Sequence, residues 1–171
     1  SFVPVRLMSG IASTDAVSVV LLASYVIPSS GESVLLSIFD ALWPLYATYY
    51  NLGDEREFTI YGIGRELERL PEGTLRDINL TTRGEIRRLG GSKMEQALHT
   101  IVSPVLGIRR RVAEIAGVAY SELDVMPFFE MKAETMPVYL PDALVPVGLR
   151  IGDEVKIVMQ LNGYTLAEPI E

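Results

Sequence analysis

Cysteine is absent from the 171 residues. Disulfides, thiolate metal ligands and cysteine nucleophiles are excluded together, and the composition leans toward the cytoplasm. Histidine is almost as scarce, with His99 the only one. A histidine-rich zinc site is therefore out, and a Ser–His–Asp triad would have to use this one ring. Leu98 and Ile101 place it on an amphipathic helix, where a helix-surface or core histidine is the simpler reading. No EF-hand spacing occurs, so an oxygen-only Mg²⁺ or Ca²⁺ site is left open without named ligands, and no cofactor is indicated.

Long uninterrupted apolar runs are missing too. Residues 16–27 are too few to span a bilayer, and residues 34–50 carry Asp40 and Pro44 inside them. No basic region followed by an apolar core opens the chain, so neither a targeting segment nor a membrane partner is expected. Positive charge is in deficit: fifteen basic against twenty-two acidic side chains give a net charge of −7. That balance disfavours nucleic acid and other polyanions as general partners.

What is present is an apolar share of 49%, which suits a folded chain with a sizeable core. One domain over residues 1–171 is expected, with a possible division into a helix-rich part, 1–126, and a β-rich part, 127–171. The C-terminal region has the plainest geometry. Val155, Ile157, Met159 and Leu161 alternate with Lys156, Val158 and Gln160, the period of a half-buried strand. Gly152-Asp153 reads as the turn that feeds it. Asn162-Gly163 reads as a tight turn, with Tyr164, Thr165 and Leu166 on the returning strand of a hairpin.

Upstream, residues 2–8 read as a strand that Pro4 confines to a sheet edge. Residues 17–27 are apolar on every side; length favours helix, though their valines would also suit a buried strand. Ser29 and Glu32 fit a capping box that opens a helix from Glu32 to Trp43, broken at Pro44. Residues 57–63 alternate as a strand, run into Gly62-Ile63-Gly64, and lead to a helix over 65–70. A dinucleotide fingerprint is not met, because Leu67 stands where a third glycine would be needed; close strand–helix packing explains the two glycines. Residues 128–135 read as a further strand. The fold class is therefore α+β: apolar helices packed on a mostly antiparallel sheet, ending in a C-terminal β-hairpin or small barrel.

Two groups of residues carry candidate function. Phe39, Trp43, Tyr46, Tyr49 and Tyr50 recur at helical spacing and form a core or interface stripe, or else the wall of an apolar ligand pocket with phenols at its rim. Residues 81–111 reverse the charge of the chain: seven basic and two acidic side chains give +5, so the other 140 residues sum to −12. Within this region Arg87 and Arg88 precede Gly90, Gly91, Ser92 and Lys93, where a helix start could present free amides and positive charge to an anion. Arg109 and Arg110, with Arg111, could add to that site. The same residues also fit a plain helix junction, with Ser92 and Glu95 as a capping box and the three arginines on a solvated helix face.

Residues 112–123 resemble the helix–turn–helix core of LacI-type repressors through Ala113, Ala116, Gly117 and Val118. Glu122 and Asp124 make the would-be recognition helix acidic, which points away from DNA and toward a helix with a glycine C-cap. Leu140-Pro141, Gly148, Leu149, Ile151-Gly152-Asp153, Val155, Ile157 and Asn162-Gly163 resemble the swapped-hairpin module of AbrB/SpoVT-type proteins. That resemblance covers about thirty residues. It implies barrel formation or dimerisation more than DNA binding, because Asp142, Ala143, Leu144 and Val145 stand where the family has basic contacts.

The leading functional expectation is a non-enzymatic, oligomeric binding or regulatory protein that holds a phosphate- or carboxylate-bearing ligand at the basic helix start. An enzyme acting on a small carboxylated or phosphorylated substrate through a Glu or Asp is the alternative. A structural assembly subunit is the third.

Overall fold

A computed structural model describes residues 2–12, 19–26, 31, 33–40, 55–77, 85–89, 97–126 and 135–164. They form ten strands: β1 (Phe2–Ala12), β2 (Val19–Val26), β3 (Ser33–Asp40), β4 (Glu55–Arg69), β5 (Glu85–Arg88), β6 (Leu98–Pro104), β7 (Gly107–Ile115), β8 (Val118–Val125), β9 (Met136–Pro141) and β10 (Glu154–Tyr164). Helical structure among the described residues is confined to α1 (Thr74–Asp77) and a 3-10 turn, Asp142–Leu144. None of it is long and apolar enough to cross a membrane.

The expected α+β architecture is therefore corrected to a mixed, nearly all-β sheet. Residues 17–27 and 32–43, read as helices, supply β2 and β3; residues 65–70 extend β4; and the segments around His99 and Arg109 are β6 and β7. The physical reason is that apolar side chains stand on both faces. Leu36 and Ile38 point one way along β3 and are buried, while Leu35 and Phe39 point the other way, the first exposed and the second half-buried. A strand apolar on both sides shows no alternation, so its sequence cannot be told from a buried helix by period.

The strands run β5-β6-β10-β3-β2-β1-β4-β9-β8-β7, with β10 also paired to β4. Those pairings close β1, β2, β3, β10 and β4 into a ring. The seam is the ten-residue β4–β10 ladder, from Val155 opposite Arg69 to Tyr164 opposite Thr59. β10 faces β6 along residues 154–160 and changes neighbour to β3 at Asn162, opposite Phe39. β1 makes a similar exchange. Residues 2–6 pair with β4 and residues 6–12 with β2, so Pro4 has a ladder partner on one side only. That arrangement suits a residue without an amide hydrogen.

One cluster fills the interior, with Phe58 and Ile60 of β4, Leu36 and Ile38 of β3, Val138 and Leu140 of β9, and Ile157, Met159 and Leu161 of β10 among its members. Gly62 and Gly64 lie within β4 rather than at a strand–helix joint. A Cβ on Gly64 would meet the Leu140 Cβ at 3.0 Å, so these glycines let β9 side chains approach the β4 backbone.

The expected C-terminal hairpin turn is likewise overturned. β10 runs straight through Asn162 and Gly163, which pair with Tyr61 and Ile60 of β4. A Cβ at Gly163 would stand 2.8 Å from Ile38 Cγ2 and 3.3 Å from the Thr59 carbonyl oxygen. The glycine is required by lateral crowding, not by a bend. The actual tight turn joins β7 to β8, where Ala116 and Gly117 take φ of 53° and 79°. Positive φ at both central residues matches the turn that joins twisted hairpin strands, so the helix–turn–helix likeness lands on a β-hairpin.

Candidate functional site

The basic residues lie in two places. Arg87 and Arg88 are on β5, at one end of the strand order; Arg109, Arg110 and Arg111 are on β7, at the other. Gly90, Gly91, Ser92 and Lys93 lie outside the described residues, as do Trp43, Tyr46, Tyr49 and Tyr50. The helix expected to start at Ser92 does not reach His99. β5 and β6 form an antiparallel pair, Leu89 N–H donates to the Leu98 carbonyl at 3.0 Å, and the chain is strand from Leu98 onward.

On β5, Arg87 is exposed and paired with Glu85. Arg88 sits opposite His99 in the ladder, and its Nη1 is buried with no hydrogen-bond partner among the described residues. His99 itself is fully buried and is the histidine of the core. Its Nε2 accepts from the Ser37 backbone N–H at 3.2 Å, and its Nδ1 lies 2.9 Å from the Ala97 carbonyl oxygen, so the neutral ring links β6 to β3. Burial, followed by the nearby Arg88 cation, lowers its pKa to about 4 against the pull of the Ala97 hydrogen bond.

On β7 the three arginines turn inward on the chain's own acids. Arg109 bridges Glu122 and Asp124 of β8, with Nη2 2.8 Å from Asp124 Oδ1. Its hydrogen bond lowers the Glu122 pKa and raises that of Arg109. Next comes a bulge: three residues of β7, from Arg110 to Val112, stand opposite Ser121 alone. The bulge re-aims Arg110. Its guanidinium reaches Asp142 at 2.9 Å and the carbonyl oxygens of Val145 and Pro146 at 3.3 and 3.2 Å, fastening the turn after β9. Arg111 has φ of 54°, donates its backbone N–H to Ser121 Oγ at 3.0 Å, and keeps its side chain 4.0 Å from Asp142. The Ser121 hydroxyl donates in turn to Asp142 Oδ1 at 2.6 Å, and this bond, then Arg110, lowers the Asp142 pKa.

Two features escaped the sequence reading. One is the set of acids, Glu122, Asp124 and Asp142, that occupies the arginines; only the ladder register brings them together. The other is apolar. Six of the seven large hydrophobic side chains exposed among the described residues fall on two segments: Val112, Ile115 and Val118 on the β7–β8 arm, and Leu144, Val147 and Ile151 on the loop before β10. Val147 is 96% exposed. Arg110 ties the two segments together. A cleft of about 700 Å³ lies beyond the loop, lined by Arg69, Glu72, Arg150, Asp153 and Glu154 among others. Arg69 and Asp153 pair across it at 3.2 Å.

Compared with known proteins, the chain matches no family model, no curated protein and no solved structure.

Proposed function

We propose that this chain is a non-enzymatic interaction module, a subunit of an assembly, which meets a protein partner through the β7–β8 arm and the loop beside it. The observation that carries the reading is the gathering of exposed apolar side chains on those two segments, with Arg109 and Arg110 between them paired to acids of the same chain. Concentrated exposed apolar surface marks a contact site. An anion would have to displace Glu122, Asp124 or Asp142 from Arg109 and Arg110 before it could bind there. Glu122 and Asp142, with pKa lowered, are held ionised, the opposite of a carboxyl poised to carry a proton near neutral pH.

The test is retention on a hydrophobic-interaction column. The triple variant Val112→Ser, Ile115→Ser, Val118→Ser should elute earlier than the wild type with an unchanged melting temperature, because these side chains are exposed. Equal retention would count against the reading. So would a salt-sensitive thermal stabilisation by inorganic phosphate that is lost in Arg111→Ala.

A further inference from the structure

We propose that the cleft at the end of the β4–β10 seam binds a free basic amino acid, a ligand with one carboxylate and two cationic groups. The β7–β8 arm takes no part in this site.

The ladder between β4 and β10 ends where Arg69 faces Val155. Past that point residues 69–73 and 150–154 border a space of about 700 Å³, a volume suited to a small ligand. Both segments are held by their own hydrogen bonds. Leu70 N–H donates to the Glu154 carbonyl at 2.8 Å, and Gly152 N–H to that of Val105 at 2.8 Å. Arg150 N–H donates to Asp153 Oδ2 at 2.8 Å, and Thr74 N–H closes the turn back to the Pro71 carbonyl at 3.2 Å. The cleft is thus set by the fold, which spares a ligand the cost of ordering its walls.

Five charged side chains line it: Arg69 and Arg150, against Glu72, Asp153 and Glu154. Arg69 and Asp153 satisfy each other at 3.2 Å. Arg150, Glu72 and Glu154 have no ion pair among the described residues. Glu154 also has Oε2 buried without a hydrogen-bond partner, and a carboxylate partly out of water and unpaired gains from a cation. The unpaired set is therefore one cation and two anions, a net of 1 − 2 = −1. Among the described residues no three acidic or histidine side chains converge as metal ligands, so a bare divalent cation does not fit. A diamine would leave Arg150 facing positive charge. A dicarboxylate would set two acids of the cleft against a single free arginine. A basic amino acid answers all three groups: its carboxylate meets the Arg150 fork, and its two cations meet Glu72 and Glu154. Leu70 and Ile151, which also line the cleft, give its methylene stem an apolar surface.

The test is calorimetric titration of the full chain with L-lysine and L-arginine. Cadaverine, which lacks the carboxylate, and L-norleucine, which lacks the side-chain amine, are the comparison probes. At least one basic amino acid should bind saturably, and more weakly as salt rises. Cadaverine and norleucine should each bind roughly tenfold more weakly or worse. Arg150→Ala and Glu72→Gln should each weaken the binding roughly tenfold. Both side chains are exposed, so the ligand-free variants should melt with the wild type. No saturable binding of either basic amino acid overturns the site. Cadaverine bound as tightly as lysine overturns recognition of the carboxylate, and variants that bind like the wild type place the binding outside the cleft.

Discussion

The guanidinium of Arg110 reaches 32 residues along the chain to Asp142, its Nε 3.0 Å from Oδ1. The Ser121 hydroxyl donates to that same carboxylate oxygen at 2.6 Å. The arm, strand β8 and the turn after β9 therefore share a single acceptor.

Removing the middle of this relay should loosen all three. Ser121→Ala takes away a fully buried hydroxyl that also accepts the Arg111 amide. The expected loss is about 1–2 kcal/mol in urea unfolding. Adding Arg110→Ala should cost less than the two single losses combined, because both act through Asp142. Asp142 has its pKa lowered in the folded state, so its contribution is present above the usual carboxylate range and is lost as pH falls through the folded value.

His99 sets a second pH dependence. Its pKa drops from 6.5 to about 4 on folding, so between those values the unfolded chain binds the extra proton. Stability is full above pH 6.5 and declines as pH falls toward 4, by about 3 kcal/mol in all. Urea melts of wild type and His99→Gln at neutral and acid pH should show a smaller decline in the variant. Equal slopes would show that His99 does not set the dependence.

Ala116 holds a backbone conformation that a side chain resists, with φ of 53°. Asparagine tolerates it and favours the first central position of such turns. Ala116→Asn should stabilise the protein by about 1 kcal/mol. Thermal melting checks the sign.

The β4–β10 seam should be intolerant of bulk in a graded way. Gly163→Ala pushes a methyl against Ile38 at 2.8 Å and the backbone oxygen of Thr59 at 3.3 Å, neither of which can easily yield. A loss of roughly 1–3 kcal/mol is expected. Gly62→Ala meets chiefly the flexible Met159 side chain and should be milder. Equal losses in denaturant would contradict this ordering.

How much of this was legible follows from which faces are wet. β10 could be read because Lys156 is exposed and Val158 and Gln160 are half-buried between Val155, Ile157, Met159 and Leu161. β2 and β3 could not, because continuous apolar runs fit a buried helix equally well. Asn162-Gly163 carried a turn signature, yet the glycine answers crowding from Ile38, a neighbour distant in sequence. Ala116-Gly117 makes the real turn without the usual asparagine or aspartate. The charge reversal over residues 81–111 was visible; that Glu122, Asp124 and Asp142 fold back onto its arginines depends on register and on the bulge.

The ring cannot close until β10 has been made and slotted between partners produced about a hundred residues earlier. Loop-closure entropy must be met before those contacts form, so refolding should be slow for a domain of this size. A nascent chain lacking residues 154–164 exposes the long edge of β4 and the flank of β6, both open to pairing with neighbouring chains. Protection of those edges during synthesis would then matter more to the yield of native protein than the equilibrium stability of the finished sheet.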